Sequence, residues 1–307
     1  MKENRLYSAK FMTLLQKPLS GLFTTLENGT FIGFLNNCFF KKRLFAGMPF
    51  IKILFIASMI VLSAFSDSLF SDPITGKTAQ EMIARLDQTI NLGQGLVRAN
   101  LTLIKRSGDS TTWKVNIFRN KDDSLYLFER GGRGLEAKIL FKDEGDRVFL
   151  YNANSAKIFQ KNEEEKFEPH FTTGFSFIDL SGYSYQVNYN PIILGNQDIS
   201  GKSYLRVSLK PILGYSYKKL VLLFENPILR PTRIDFHDKD GVLFKTLNFK
   251  YSKLRIKSKN ITSEVEFPSR LEMLDLNTGG ISVLEYLDID RDVIPDKSLF
   301  ESANLNK

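Results

Sequence analysis

From Ala99 to Asn152 apolar side chains recur at every second position in short runs: Leu101 and Leu103, Trp113, Val115 and Ile117, Leu125 and Leu127, Ile139 and Phe141, Phe149 and Tyr151. A period of two is the spacing of a strand, in which alternate side chains point to one face. The runs are broken at Ser107-Gly108-Asp109-Ser110, Asn120-Lys121-Asp122-Asp123, Gly131-Gly132-Arg133-Gly134 and Asp143-Glu144-Gly145-Asp146. Parallel neighbours need a crossover of roughly a dozen residues or more, and none of these breaks is that long. The stretch is therefore constrained to an antiparallel meander, with one face expected to be covered.

The same rhythm returns further on. Strands are expected at Tyr183–Tyr189, Leu194–Ile199, Ser203–Leu209 and Lys218–Glu225, with Gly195 and Gly201 as turns. Asn226-Pro227 and Arg230-Pro231 break the chain before a strand over Thr232–His237, because proline lacks the ladder donor. Asp238-Lys239-Asp240-Gly241 is the clearest turn signal, its glycine supplying positive φ, and Val242–Phe249 is the returning strand. Val265–Leu276 and Ile281–Tyr286, joined by Asn277-Thr278-Gly279-Gly280, close the series. A convincing helical period occurs once: Thr78 and Glu81 have capping-box spacing, and Ala79, Met82, Ile83, Leu86 and Ile90 follow at helical intervals until Gly93.

Charge and targeting account for the prefix. The chain of 307 residues has a formal charge of +8, but residues 1–52 hold eight Lys or Arg against two acids. Asp67 is the sole charge between 53 and 71, so the part from Asp72 carries only +3. A body this near neutral lacks the footprint of a nucleic-acid binder. Ile53–Phe65 is an uncharged run of 13 residues after Lys52, too short to span a bilayer comfortably and matching a secretory hydrophobic region. Met48 sits directly before it, whereas Met1 would give a leader far longer than the usual ~15 to 30 residues. The expectation is an upstream extension over 1–47 with the true start at Met48, a signal peptide over 48–71, and one domain over 72–307.

Chemistry-bearing residues are sparse. Cys38, the one cysteine, precedes the hydrophobic run, so the domain from Asp72 offers neither disulfide nor thiolate, and no cysteine follows the run to accept lipid. The two histidines, His170 and His237, are read as solvated surface residues. Asp288, Asp290 and Asp292 lack the glycine turn and distal glutamate of a calcium loop and are read as a solvated acidic edge. Gly131–Gly134 lacks the Gly-Lys-Ser/Thr ending of a phosphate loop. No Gly-x-Ser-x-Gly elbow or distinctive carboxylate pair is present, so neither an enzyme nor a metal or cofactor is expected.

From Tyr151 to Leu305 the order of segments resembles the LolA-like outer-membrane lipoprotein-sorting family. The resemblance rests on Tyr151-Asn152-Ala153-Asn154-Ser155-Ala156-Lys157, on Phe175-Ser176-Phe177-Ile178-Asp179-Leu180, and on Pro231-Thr232-Arg233-Ile234-Asp235-Phe236-His237-Asp238-Lys239-Asp240-Gly241. It extends to the Pro268-Ser269-Arg270-Leu271-Glu272-Met273 stretch and the tail Leu299-Phe300 with Asn304-Leu305. The resemblance implies a mainly β (α+β) fold: a single curved antiparallel sheet forming an open half-barrel, one long N-terminal helix, and one or two short helices over the concave face. Counted from the runs, the sheet has about 10 to 11 strands.

It further implies a periplasmic carrier, or chaperone, that shields acyl chains of a lipoprotein or lipid on the way to the outer membrane. Its partners would be an inner-membrane release complex and an outer-membrane acceptor. An envelope sensor or scaffold of the same fold, binding a protein or peptide, is the alternative. Apolar strand surface is expected to exceed what the helices can cover, leaving a cavity lined by Trp113, Ile117, Leu127, Phe141, Phe149, Phe175, Phe177, Leu180, Leu222 and Phe224. Gly174 and Gly182 would hinge the Phe175–Leu180 segment as a plug or lid. Sealing about 30 methylenes at roughly 0.8 kcal/mol each would exceed the affinity ceiling of about 18 to 21 kcal/mol. The cavity is therefore expected to be shallow or self-occluded when empty.

Overall fold

The structure, a computed structural model, describes residues 78–170, 173–212 and 217–307. The expectations for the extension 1–47 and the signal peptide 48–71 fall outside the described residues, as do Phe171 and Thr172 of the plug region.

Helix α1 (Ala79–Ile90) starts as its sequence requires, with Thr78 and Glu81 forming a reciprocal capping box. Its stripe of Met82, Ile83 and Leu86 is fully buried, worth roughly 1.5–3 kcal/mol per side chain. A first meander follows: β1 (Gly95–Ile104), β2 (Ser110–Arg119), β3 (Ser124–Arg130), β4 (Gly134–Lys142), β5 (Arg147–Asn152) and β6 (Lys157–Lys161). Two one-turn helices, α2 (Phe177–Leu180) and α3 (Tyr185–Asn188), precede the second meander. That comprises β7 (Tyr189–Ile199), β8 (Lys202–Pro211), β9 (Lys219–Glu225), β10 (Arg230–His237), β11 (Leu243–Ser258), β12 (Ile261–Asp275) and β13 (Ile281–Asp290).

The result is one open sheet of 13 strands in the order β6-β5-β4-β3-β2-β1-β13-β12-β11-β10-β9-β8-β7. Neighbours are antiparallel, and the two meanders meet where β1 pairs with β13 from Leu96↔Asp290 to Ile104↔Ile281. One short parallel contact is added, Arg255–Lys257 of β11 beside Asp288–Asp290 of β13. Asp288, Asp290 and Asp292, expected as a solvated acidic edge, are partly exposed and ion-paired. Asp288 pairs with Arg98 at 2.7 Å, and Lys257 lies 3.6 Å from both Asp290 and Asp292. Among the described residues no group of three or more His, Cys, Asp or Glu side chains could hold a metal ion, and no helix is long and apolar enough to cross a membrane.

Three local expectations change. Tyr183–Tyr189 is not a strand, because Ser184 caps a helical turn there and the Asp87 carboxylate takes the amides of Tyr185 and Gln186. Gly195 is a bulge in β7 and not a turn, with the register slipping between Ile193 and Gly195. Both faces of β2 to β5 are covered. The concave face carries the main core, while Leu125 and Leu140 on the back pack with Phe300 and Leu305 of the C-terminal tail. Lys142 Nζ donates to the Phe300 carbonyl at 3.0 Å and fixes that strap.

Candidate functional site

The two edge strands, β6 and β7, are consecutive in sequence, so the chain between them must traverse the sheet. It does so across the concave face. Ser176 Oγ accepts from the Asp179 amide while Asp179 accepts from the Ser176 amide at 2.8 Å, a capping box that winds α2 in a single turn. This turn delivers Phe175, Phe177, Ile178 and Leu180, all buried, onto the core beneath. Each end is held to the sheet: the Gly174 amide donates to Ser282 Oγ at 2.9 Å, and Tyr126 OH donates to the Leu180 carbonyl at 2.6 Å. A Cβ at Gly174 would lie 2.8 Å from Met273 Cγ, so the backbone approaches the sheet as only glycine permits.

Under the plug lies a buried polar cluster. Lys245 projects from the inward row of β11, between apolar neighbours, and its Nζ is 2.6 Å from Asp179 Oδ2, both side chains almost wholly buried. Tyr217 OH donates to Asp179 Oδ1 at 2.9 Å, lies 2.7 Å from Ser176 Oγ, and accepts from Lys245 Nζ at 2.7 Å. The ammonium also sits 4.5 Å from the Tyr217 ring centre and 4.7 Å from that of Phe236. Burial pulls the Lys245 pKa below the ordinary lysine value, and the Asp179 charge restrains that fall. Burial pushes the Tyr217 phenol well up, with the neighbouring Asp179 charge adding to it. Every member of the cluster has a partner, so it fixes α2 at one position on the sheet.

His170, expected in solvent, is buried between Phe128 and Phe177, its ring centre 5.0 and 5.1 Å from theirs. Burial, then the nearby Lys161 charge, lowers its pKa to about 3. The Pro169–Ser176 bridge turns the chain inward at this point and carries the imidazole with it. Helices α1 and α3 are also tied together, since Asp87 accepts from Ser184 Oγ at 2.8 Å as well as from the α3 amides. Beneath the plug a narrow void of about 40 Å³ remains, lined by residues including Phe175, Leu180, Leu247, Phe249 and Leu284. That holds a water-sized guest but no acyl chain. Above this void α1 and the plug pack on the apolar concave face.

Of the ten expected lining residues, Trp113, Ile117, Phe141, Phe175, Phe177, Leu180, Leu222 and Phe224 share the concave core. Leu127 and Phe149 lie on the back of the sheet against the C-terminal strap. The cause is parity: Leu125-Tyr126-Leu127-Phe128 and Val148-Phe149-Leu150-Tyr151 are apolar at every position, so alternation could not choose a face. The register Ile117↔Tyr126↔Ile139 shows that Tyr126 and Phe128 face inward instead. Sequence reasoning also missed Lys245 and Arg119. Both continue inward apolar rows, Lys245 with Leu247 and Phe249, Arg119 with Trp113, Val115 and Ile117. A cation in such a row is the signal that could have found them.

Comparison with known proteins places this geometry. A family model described as an uncharacterized protein matches residues 120–307. Among solved structures, a domain from Vibrio parahaemolyticus assigned to outer-membrane lipoprotein sorting superposes with a TM-score of 0.61 at 18% identity, over 74% of this chain and 98% of that one. A DUF1329 family protein from Desulfovibrio piger gives 0.62 at 18% identity, over 76% and 100%. A LolA superfamily protein from Nitrosomonas europaea gives 0.59 at 21%, over 74% and 99%. No curated protein matches the sequence.

Proposed function

The chain belongs to the family whose model spans residues 120–307 and has the LolA-like fold, and on that premise we propose that it is a periplasmic carrier of acylated lipoproteins or lipids, without enzymatic activity. The single observation that carries the reading is the plug: a one-turn helix with four apolar side chains that closes a concave apolar sheet and is fixed by one discrete polar cluster. Acyl chains would enter by displacing this segment, with Gly174 and Gly182 as hinges, and would take over the contacts of Phe175, Phe177, Ile178 and Leu180. Delivery would run from an inner-membrane release complex to an outer-membrane acceptor.

Magnitudes support exchange over simple filling. Exposing four such side chains costs roughly 6 to 12 kcal/mol at 1.5–3 kcal/mol each, which offsets much of the roughly 24 kcal/mol of sealing about 30 methylenes at ~0.8 kcal/mol each. The net lies below the practical affinity ceiling, and cargo can leave again. Self-occlusion is what makes release feasible.

The closed interior also supports a second reading, a sensor or scaffold that binds a protein or peptide on its surface. Organic extraction of the purified protein followed by lipid mass spectrometry separates the two. A carrier yields a stoichiometric acylated ligand from protein isolated with its membranes, and a scaffold yields none.

A further inference from the structure

The inward row of β2 ends in a cation. Trp113, Val115 and Ile117 face the core, and Arg119 is the next inward position. Its Nε is buried without a hydrogen-bond partner, and among the described residues its guanidinium forms no ion pair. The other inward cation, Lys245, has its carboxylate. The guanidinium also lies in hydrogen-bond contact with the Tyr126 phenol, but the Arg119 Nε–H is a donor that the closed protein does not use, in a place where an unmet donor is unfavourable.

Its position says what would meet it. Arg119 forms part of the wall of the narrow void under the plug and part of the wall of an outer cleft of about 270 Å³. It lies against the plug's C-terminal hinge: a Cβ at Gly182 would be 3.2 Å from an Arg119 terminal nitrogen. On the apolar side stand Tyr126 and Tyr286, whose phenol pKa values burial raises while the Arg119 charge opposes the rise. On the outer side the cleft holds Asp87, Asp122, Asp123 and Glu144 against Lys121 and Arg119 itself. A ligand reaching Arg119 from within brings an aliphatic chain, and its polar end must pass a rim with four carboxylates. That rim disfavours a free carboxylate or phosphate. A neutral acceptor has no such conflict.

Resting on the carrier reading above, we propose that Arg119 is the donor for the ester or amide carbonyl at the root of a bound acyl chain, so that the site selects neutral acyl linkages over free fatty acids and over ethers. The planar guanidinium can direct its Nε–H and a neighbouring Nη–H in fixed geometry at the two lone pairs of one carbonyl oxygen, which a lysine cannot match. Selection would act when the plug is displaced and the void opens toward the cleft.

The test uses three probes of equal chain length with the purified, delipidated protein: 1-palmitoylglycerol, its ether analogue 1-O-hexadecylglycerol, and palmitate. The wild type is expected to bind the ester about 10-fold or more tighter than the ether, as one hydrogen bond to a charged donor implies, and tighter than palmitate. In Arg119→Leu the ester-to-ether ratio falls to about 1 with ether affinity retained, and Arg119→Lys lies between. Because a ratio is read, partial loss of folded protein affects both ligands alike. Equal binding of ester and ether by the wild type, a ratio that survives in Arg119→Leu, or a preference for palmitate overturns the assignment and leaves the carrier reading standing. Binding of none of the three overturns both.

Discussion

Lys245 on β11 and Asp179 on the plug helix meet at 2.6 Å with their side chains almost wholly out of solvent, the one ion pair among the described residues that is buried on both sides. Because each charge is isolated from water, removing one partner leaves the other stranded. Lys245→Met alone is expected to lower unfolding stability by about 3–5 kcal/mol, while Lys245→Met with Asp179→Leu should recover most of that loss. Urea denaturation of the three proteins checks this. Equal losses in the single and double variants would refute the coupling.

Amide exchange gives the dynamic counterpart. Asp179→Asn keeps the shape but weakens the charge on which α2 depends, so protection of the 174–182 segment should fall by more than that of β1 and β13. Hydrogen-exchange mass spectrometry reads the two regions separately. A uniform fall across the sheet would mean that the cluster supports the domain as a whole and does not hold the plug.

Gly174 makes a steric prediction on the same segment. Its absent Cβ leaves room for Met273, and Gly174→Ala places a methyl 2.8 Å from Met273 Cγ. A loss of about 1–3 kcal/mol is expected from overpacking, and Met273→Ala in the same chain should relieve the clash. Thermal unfolding of the single and double variants measures it.

His170 predicts an acid limb. In the folded protein its pKa is lowered from 6.5 to about 3, chiefly by burial, so between those values the unfolded chain binds more protons. Stability contributed by the neutral imidazole is complete above pH 6.5 and declines as pH falls toward 3, by up to about 1.4 kcal/mol per pH unit. His170→Phe, which keeps a ring between Phe128 and Phe177, should flatten that dependence. Denaturation midpoints between pH 4 and 7 decide the matter, and an unchanged slope in the variant would exclude His170 as its source.

The back of the sheet offers a control. Phe300 is buried against Leu125 and Leu140 and away from the plug. Phe300→Ala should cost about 3–5 kcal/mol of stability yet leave the ester-to-ether binding ratio unchanged. A shifted ratio would show that the strap communicates with the concave face.

What the sequence disclosed follows from how much of each signal is local. Strand period, the Asp238–Gly241 turn and the Thr78 capping box depend on neighbouring residues, and the structure has all three. Face choice depends on residues far apart. Trp113-Val115-Ile117 alternates with polar neighbours and so marks its inward face, whereas Leu127 and Phe149 sit in runs apolar on both sides, because a tail far along the chain covers their back. His170 misled for the same reason: two partners that bury it, Phe128 and Phe177, arrive from a strand and a plug that meet only in three dimensions. The pairing of Lys245 with Asp179, 66 residues apart, left no mark on either segment except a cation among inward apolar residues.

The pairing of β1 with β13 joins the beginning of the described chain to its last strand, and it lies at the middle of the sheet, with six strands of the first meander on one side and seven of the second on the other. Each meander can zip up from its own turns, but the two half-sheets can be united only once Ile281–Asp290 is in place. Premature termination upstream of that strand would therefore not trim a border. It would divide the protein down its midline, leaving two separate greasy ribbons with raw edges where a single bowl should be.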